Sequence, residues 1–314
     1  MTTTLKVNNL KKFYTIKKLF KEPKQVKALN DVSFSLRKNK TLGVVGESGC
    51  GKSTLAKALL QLEAPTSGSI EINGINVNDV NKNKFRSTIQ MIFQDPYNSL
   101  NPRKKAWEII GGPLFVNSKL SSSEIYNKTL KIMEFVGLRK NLANRYPHMF
   151  SGGQRQRIGI ARALILKPEI LICDEPVSAL DVSIQAQILN LLTQLQDNLK
   201  LSYLFISHDL SVVNHIADDI AVMYLGKIVE YGPREQIFQN PLHPYTKALI
   251  NSSPIIGKNK EQSLIIKGEL PSPIDPPSGC SFHKRCPMAI DQCSNSYPEL
   301  KSYGEVTSSC HLIE

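Results

Sequence analysis

Continuous apolar runs of strand length and stretches of helical periodicity alternate along most of the chain. Residues 42–45, 170–173 and 203–206 are apolar runs of the kind typical of central parallel strands covered on both faces. Between residues 107 and 137, Leu, Ile and Met recur at three- and four-residue spacing, which predicts helices. The alternation predicts an α/β fold with a mixed or parallel core sheet, and the helical block predicts a separate subdomain.

Shorter patterns add further elements. Residues 5–8, 32–36 and 69–77 predict strands, and residues from about 52 to 62 and from Ser151 onward predict helices. No apolar stretch approaches the roughly 18 residues of a membrane span, and no secretory signal opens the chain. We therefore expect a cytoplasmic protein whose contact with a membrane comes through partners.

The amino-acid composition of the sequence changes beyond Pro254. Residues 268–279 are rich in proline and precede a group of cysteines. We therefore expect two domains, residues 1–255 and 256–314, with a helical subdomain at about 97–165 of the first. A length of 314 residues fits one large α/β domain with an appendage.

Basic residues are concentrated near the N-terminus. The chain has a formal net charge of +12, and residues 1–40 hold eleven Lys and Arg against Glu22 and Asp31. A solvated basic surface is the simplest interpretation, and attraction to an anionic lipid surface is the second. Nucleic-acid binding is not favoured, because the chain has one Trp and no motif that interleaves aromatic and basic residues.

A glycine-rich segment follows the apolar run 42–45 and opens the helix predicted after it. It fits the phosphate-loop pattern G-x-x-x-x-G-K-[ST] through Gly46, Glu47, Ser48, Gly49, Cys50, Gly51, Lys52, Ser53 and Thr54. Glycines let backbone N–H groups turn toward phosphates, and a helix N-terminus favours anions. We expect ATP here, with Lys52 on the β- and γ-phosphates and the Ser53 hydroxyl on Mg²⁺.

Two carboxylates, Asp174 and Glu175, end the apolar run 170–173. Adjacent carboxylates after a strand are otherwise a solvated strand end, but the upstream phosphate loop favours a functional interpretation. Asp174 suits a carboxylate that holds Mg²⁺ through water, and Glu175 is placed to polarise the water that attacks the γ-phosphate.

The start of the helix after residue 150 resembles the LSGGQ motif of ABC ATPases, with Phe in place of the usual Leu, in the segment Phe150-Ser151-Gly152-Gly153-Gln154. A Ser hydroxyl and glycine N–H groups at a helix start form an anion site. The resemblance implies that this site closes over the γ-phosphate of ATP held by the opposite subunit of a dimer.

The remaining motifs follow in the order of the family. Gln94 resembles the Q-loop glutamine that senses Mg²⁺, residues 178–181 resemble the D-loop, and His208 resembles the switch histidine that contacts the γ-phosphate. Tyr14 stands where the family stacks an aromatic ring on adenine, with Phe13 as the neighbouring alternative.

The resemblance covers residues 5 to about 250. It implies the ABC-type fold, with an antiparallel β subdomain beside the core sheet and the helical subdomain. It also implies an active ATPase, in which water attacks the γ-phosphate in line and the catalytic residues are Lys52, Glu175 and His208. The Mg²⁺ ligands that it implies are Ser53, Gln94 and Asp174.

Four further segments resemble the ATPases of oligopeptide and dipeptide importers. They are the His-Pro-Tyr-Thr element within 241–249, the cysteine segment 279–289, and the stretches 93–103 and 175–187, which resemble the F-type rather than the D-type subunit. The resemblance implies a D-type ATPase partner or a second copy of this chain, two membrane permeases and an external peptide-binding protein. It places the subunit at the cytoplasmic face of the inner membrane.

Three alternative functions are weighed against peptide import. An importer ATPase of nickel or glutathione type has the same motifs. A soluble ABC protein that acts on the ribosome or DNA usually has two cassettes or a long coiled-coil insertion, and this sequence has neither. A non-catalytic nucleotide binder is disfavoured by the intact Glu175.

Four of the six cysteines crowd the C-terminal residues, at Cys280, Cys286, Cys293 and Cys310. In a cytosolic chain such a cluster indicates a metal or redox centre more often than disulfides. Paired C-x-x-C zinc knuckles are missing, and members of the family can carry a [4Fe–4S] cluster here, so we expect that cluster first, then Zn²⁺, then unliganded thiols. His283 and His311 are candidate substitute ligands, while Cys50 packs at a helix N-terminus, which favours a lowered pKa.

Overall fold

The computed structural model describes residues 2–18, 21–252 and 268–313. We call residues 268–313 the C-terminal segment. The strands in these ranges are β1 (Thr3–Lys18), β2 (Lys21–Arg37), β3 (Thr41–Val45), β4 (Ser67–Ile72), β5 (Ile75–Asn76), β6 (Ile89–Ile92), β7 (Ile170–Asp174), β8 (Ser202–Ser207), β9 (Asp219–Tyr224), β10 (Lys227–Pro233), β11 (Lys301–Tyr303) and β12 (Val306–Ser308).

The α-helices of the same ranges lie mostly between the strands. They are α1 (Lys52–Leu59), α2 (Lys82–Thr88), α3 (Ala106–Asn117), α4 (Ser122–Phe135), α5 (Gly152–Leu164), α6 (Val182–Leu199), α7 (Leu210–Ile216), α8 (Arg234–Gln239), α9 (Pro244–Ser252) and α10 (Asp291–Asn295). None of the described helices is long and apolar enough to cross a membrane.

The chain divides into two compact units. The first comprises Met1–Asn76 and Phe205–Glu314, and the second comprises Val77–Leu204, so strand β8 crosses the boundary between them. The predicted domain boundary at residues 255 and 256 lies outside the described residues.

The first unit contains two sheet regions. One is antiparallel throughout, with strand order β2-β1-β4-β5. The other has the order β11-β12-β10-β9-β3, in which β3 and β9 are parallel and the remaining pairs are antiparallel. The antiparallel subdomain and the mixed core sheet are therefore present, and the C-terminal segment contributes two strands to the core sheet.

The second unit contains the parallel pair β6 and β7, aligned from Ile89 opposite Ile170 to Ile92 opposite Cys173. Helices α3, α4 and α5 pack on one another in this unit. Capping boxes begin two of these helices, since Ser121 and Ser151 each exchange hydrogen bonds with the residue three positions on. The sequence therefore sets where α4 and α5 start.

Burial explains why the apolar runs form central strands. Every residue of β3, β7, β8 and β9 is buried. Such strands lie between covering layers, so they lack the polar alternation of a half-exposed strand.

Four elements differ in extent from the prediction. Strands β1 (residues 3–18) and β2 (residues 21–37) are both longer than predicted, because they pair along a hairpin that extends past the apolar residues. Residues 69–77 form two strands, because Asn73 and Gly74 both adopt positive φ and turn the chain between β4 and β5. Helix α1 ends at Leu59, short of residue 62.

Candidate active site

The phosphate loop of the first unit joins β3 to α1. Its glycines Gly46, Gly49 and Gly51 have φ values of 153°, 81° and 111°. A Cβ on Gly46 would lie 2.2 Å from the carbonyl oxygen of Met223, and one on Gly51 would lie 2.4 Å from that of Ala28. Both the backbone conformation and the surrounding main chain therefore require glycine here.

Lys52 begins α1 and places its ammonium group inside the loop. The side chain is buried, and Nζ donates hydrogen bonds to the carbonyl oxygens of Gly46 at 2.6 Å and Glu47 at 3.0 Å. Ser53, the next residue, is exposed. A buried cation at a helix N-terminus, beside an exposed hydroxyl, has the chemistry that a triphosphate and its metal ion need.

Tyr14 and His208 also belong to the first unit. The Tyr14 hydroxyl hydrogen-bonds Glu63 and Thr54, so this side chain lies beside the helix that the loop opens. Burial and the hydrogen bond to Glu63 raise the pKa of Tyr14. His208 follows β8 with an exposed side chain.

The second unit brings Gln94 and Glu175 together. Gln94 Nε2 donates to Glu175 Oε2 at 2.9 Å. Glu175 has a φ of 45°, in the left-handed region that a non-glycine residue rarely adopts. Asp174, which ends β7, is buried. A residue that combines a strained backbone with a side-chain hydrogen bond to a loop glutamine is typical of functional sites.

The LSGGQ-like segment forms the N-terminus of α5. The Ser151 N–H donates to Gln154 Oε1 at 3.1 Å, and Ser151 Oγ accepts from the Gln154 N–H at 3.4 Å. A Cβ on Gly153 would lie 2.7 Å from Ile184 Cγ2, so this position admits no larger side chain without displacement. Ser151 itself is exposed, which leaves the helix start open to an anion.

All four C-terminal cysteines line one small cavity. The cavity is also lined by His283 and His311 of the C-terminal segment and by His243, which lies just before α9. Burial raises the pKa of Cys280 to about 11 and raises the pKa values of Cys286 and Cys310. Among the described residues, no group of three or more His, Cys, Asp or Glu side chains is arranged to hold a metal ion. The donor chemistry fits a metal centre, and the [4Fe–4S] cluster stays a prediction.

Two family models match the chain. The model described as ABC transporter matches residues 29–178, which contain the phosphate loop and Glu175. The model described as oligopeptide/dipeptide transporter, C-terminal region, matches residues 229–293, which contain the His-Pro-Tyr-Thr element.

Relatives are similar along their whole length. The dipeptide transport ATP-binding protein DppF of Haemophilus influenzae is 54% identical, over 99% of this chain and 97% of its own length. The oligopeptide transport ATP-binding protein OppF of Salmonella typhimurium is 51% identical, over 99% and 96%. The chain belongs to the oligopeptide and dipeptide transporter family of ABC ATPases.

A solved structure shares the fold. The ATP-binding cassette MJ0796, a dimer in a post-hydrolysis state with ADP and phosphate, matches with a TM-score of 0.64 and 29% identity. The match covers 73% of this peptide-transporter ATPase and 98% of the cassette. The expected ABC fold is thereby confirmed.

The site contains contacts that sequence reasoning missed. Arg285 forms an ion pair with Glu47 of the phosphate loop, 238 positions away, and Tyr245 accepts a hydrogen bond from the Glu47 N–H. The His-Pro-Tyr-Thr pattern marks Tyr245 as noteworthy, but no local signal links Arg285 to the loop. The expected lowering of the Cys50 pKa is wrong, because burial of the thiol raises it.

Proposed function

We propose that this family member is the ATP-binding and ATP-hydrolysing subunit that powers import of oligopeptides or dipeptides through an ABC transporter. The observation that carries the proposal is the phosphate loop, in which the buried Lys52 ammonium faces inward from a helix N-terminus. The full-length similarity to dipeptide and oligopeptide transport ATP-binding proteins supports peptides as the cargo.

Within the first unit, the loop residues 46–54 bind the phosphates of ATP and Tyr14 stacks on adenine. Lys52 stabilises negative charge on the phosphates, and the Ser53 hydroxyl holds Mg²⁺. The contact between Tyr14 and Thr54 favours Tyr14 over Phe13, because it sets the Tyr14 ring beside the loop's helix. His208 contacts the γ-phosphate.

The second unit supplies the remaining roles. Glu175 polarises the attacking water, and its hydrogen bond to Gln94 supports an orientation controlled by that glutamine. Gln94 and Asp174 hold Mg²⁺. Ser151 and the glycines after it bind the γ-phosphate of ATP on a second ATPase subunit.

The proposed assembly follows from an ATP site that is shared between two ATPase subunits. A D-type ATPase is the partner we propose, because the motifs are of F type. Two permeases and an external peptide-binding protein complete the machine, with this subunit peripheral at the cytoplasmic face of the membrane. Residues 1–255 form its ATPase domain, and residues 256–314 form a cysteine-rich extension.

The extension holds a [4Fe–4S] cluster, with Zn²⁺ as the alternative. The arrangement of four thiols around one cavity supports this proposal. A cluster there would bind thiolates and stabilise a region with few apolar residues of its own. Anaerobic purification with iron and acid-labile sulfide analysis tests it, since zinc without sulfide would exclude the cluster.

Glu175→Gln in the assembled transporter tests the ATPase proposal. We expect ATP to remain bound and peptide-stimulated turnover to fall by about 10²-fold or more, because the residue acts in the chemical step. Glu169→Gln is the matched control, since Glu169 is an exposed carboxylate just before the same strand. Unchanged turnover in Glu175→Gln would refute the assignment.

A further inference from the structure

The C-terminal segment bonds directly to the phosphate loop. Arg285 Nη1 donates to Glu47 Oε2 at 2.7 Å, and Nη2 donates to Glu47 Oε1 at 2.9 Å. The Arg285 side chain is only 8% exposed. Two parallel, charge-assisted hydrogen bonds fix both distance and orientation, so this pair restrains Glu47 more than a single contact would.

The main chain of the same loop residue is held from a second element. The Glu47 N–H donates to the Tyr245 hydroxyl at 2.9 Å. Tyr245 is fully buried near the start of α9. Glu47 is therefore fixed at its side chain by Arg285 and at its backbone by Tyr245.

An aromatic cluster couples these two anchors. The rings of Tyr224, Tyr245 and Phe282 pack with centroid distances of 4.7, 5.3 and 5.4 Å. Arg285 Nη1 also lies 3.3 Å from the Tyr224 hydroxyl, to which it donates. Since Phe282 precedes the turn that carries Arg285, displacement of one anchor disturbs the other.

The charge of Glu47 gives this contact a consequence for ligand binding. A carboxylate in a loop that binds phosphates repels them unless it is neutralised. The Arg285 guanidinium lies 2.7 and 2.9 Å from the two Glu47 oxygens, and arginine keeps its positive charge at every physiological pH, so it offsets the carboxylate.

We propose that Arg285 is a positioning residue for nucleotide phosphates, which holds and neutralises Glu47 so that the loop keeps its anion-binding form. The inference rests on the proposed binding of ATP by this loop. It gives the peptide-transporter C-terminal segment a role in the ATP site of the same chain.

The test compares ATP and adenosine binding by the full-length chain, measured by calorimetry or by competition with a fluorescent nucleotide. Arg285→Met should weaken ATP binding about tenfold, within the range of couplings commonly found between sites. Adenosine, which has no phosphate, should bind as it does to the wild type. Lys284→Met is the matched control, because Lys284 is the exposed basic neighbour and should leave both ligands unaffected.

Two further variants make the result decisive. Arg285→Lys keeps the positive charge but loses the bidentate geometry, so its loss of ATP affinity should lie between that of the wild type and that of Arg285→Met. If circular dichroism shows that Arg285→Met does not fold, Arg285→Lys takes its place. Adding Glu47→Gln to the Arg285 variant should recover part of the ATP affinity, because it removes the uncompensated carboxylate.

The outcomes separate the two proposals. ATP affinity within twofold of wild type in the Arg285 variant, or equal weakening of ATP and adenosine, would overturn the positioning role alone. A wild-type chain that does not bind ATP would overturn the proposed function together with it.

Discussion

His243 is a buried histidine whose neutral form is built into the fold. Its ring Nδ1 accepts a hydrogen bond from the backbone N–H of Tyr245 at 3.1 Å, and its backbone N–H donates to Glu230 Oε2 at 2.9 Å. Burial, with a smaller contribution from Lys247, lowers the pKa of His243 from 6.5 to about 3. Acid should therefore destabilise the protein through this residue.

The direction and size of this acid destabilisation follow from proton linkage. Above pH 6.5 the histidine is neutral in both states and contributes no pH dependence. Between pH 6.5 and the folded-state pKa of about 3, the histidine is protonated in the unfolded chain but neutral in the folded chain, so acid favours unfolding. Each pH unit in this window costs about 1.4 kcal/mol of unfolding free energy, so about 2 kcal/mol is lost between pH 7.5 and pH 5.

His243→Asn isolates the effect, because asparagine can still accept a hydrogen bond from an N–H two residues on but does not titrate. Urea unfolding at about pH 7.5 and about pH 5 gives the two free energies for each protein. Circular dichroism is the suitable signal, since the single Trp, at position 107, lies in the second unit whereas His243 lies in the first. If wild type and variant lose the same free energy on acidification, the buried neutral histidine is refuted as the cause.

Three further substitutions have defined outcomes. Gly46→Ala should abolish measurable ATP binding, because its Cβ would meet the Met223 carbonyl oxygen at 2.2 Å, and retained affinity in a titration would contradict this. Ser151→Ala should lower the unfolding free energy by about 1 kcal/mol through loss of a helix cap, and a urea midpoint equal to wild type would argue against the capping role. Gly159→Ala, in α5 with nothing within 4 Å of the new Cβ, should raise the thermal midpoint by a stabilisation of about 0.5–1 kcal/mol, and a lower midpoint would show a clash.

Local patterns predicted the elements that carry the chemistry. The apolar run of β3 leads into the phosphate loop, whose glycines bring Lys52 to the start of α1, and the apolar run of β7 places Glu175 just after a strand end. These features can be predicted because burial and backbone conformation act over a few neighbouring residues. The capping box at Ser151 likewise specifies where α5 begins.

Local sequence patterns could not predict contacts between residues that are far apart in the chain. The pairing of Arg285 with Glu47, and the addition of β12 to β10, join segments far apart in sequence. Neither leaves a periodic signal, since one basic residue among cysteines is indistinguishable from a solvated surface charge. The strain at Glu175 is similarly invisible, because the left-handed backbone is imposed by the surrounding structure.

The pairing of β12 with β10 also protects a sheet edge. Glu230 and Tyr231 of β10 align with Ser308 and Thr307, so the β11–β12 hairpin covers main-chain groups that would otherwise face solvent. A chain shortened after residue 252 would leave β10, still paired with β9, as an exposed edge strand, and such edges can pair with strands of other chains. We therefore expect the C-terminal segment to limit edge-to-edge pairing between chains, so that loss of β11 and β12 appears first as aggregation during expression.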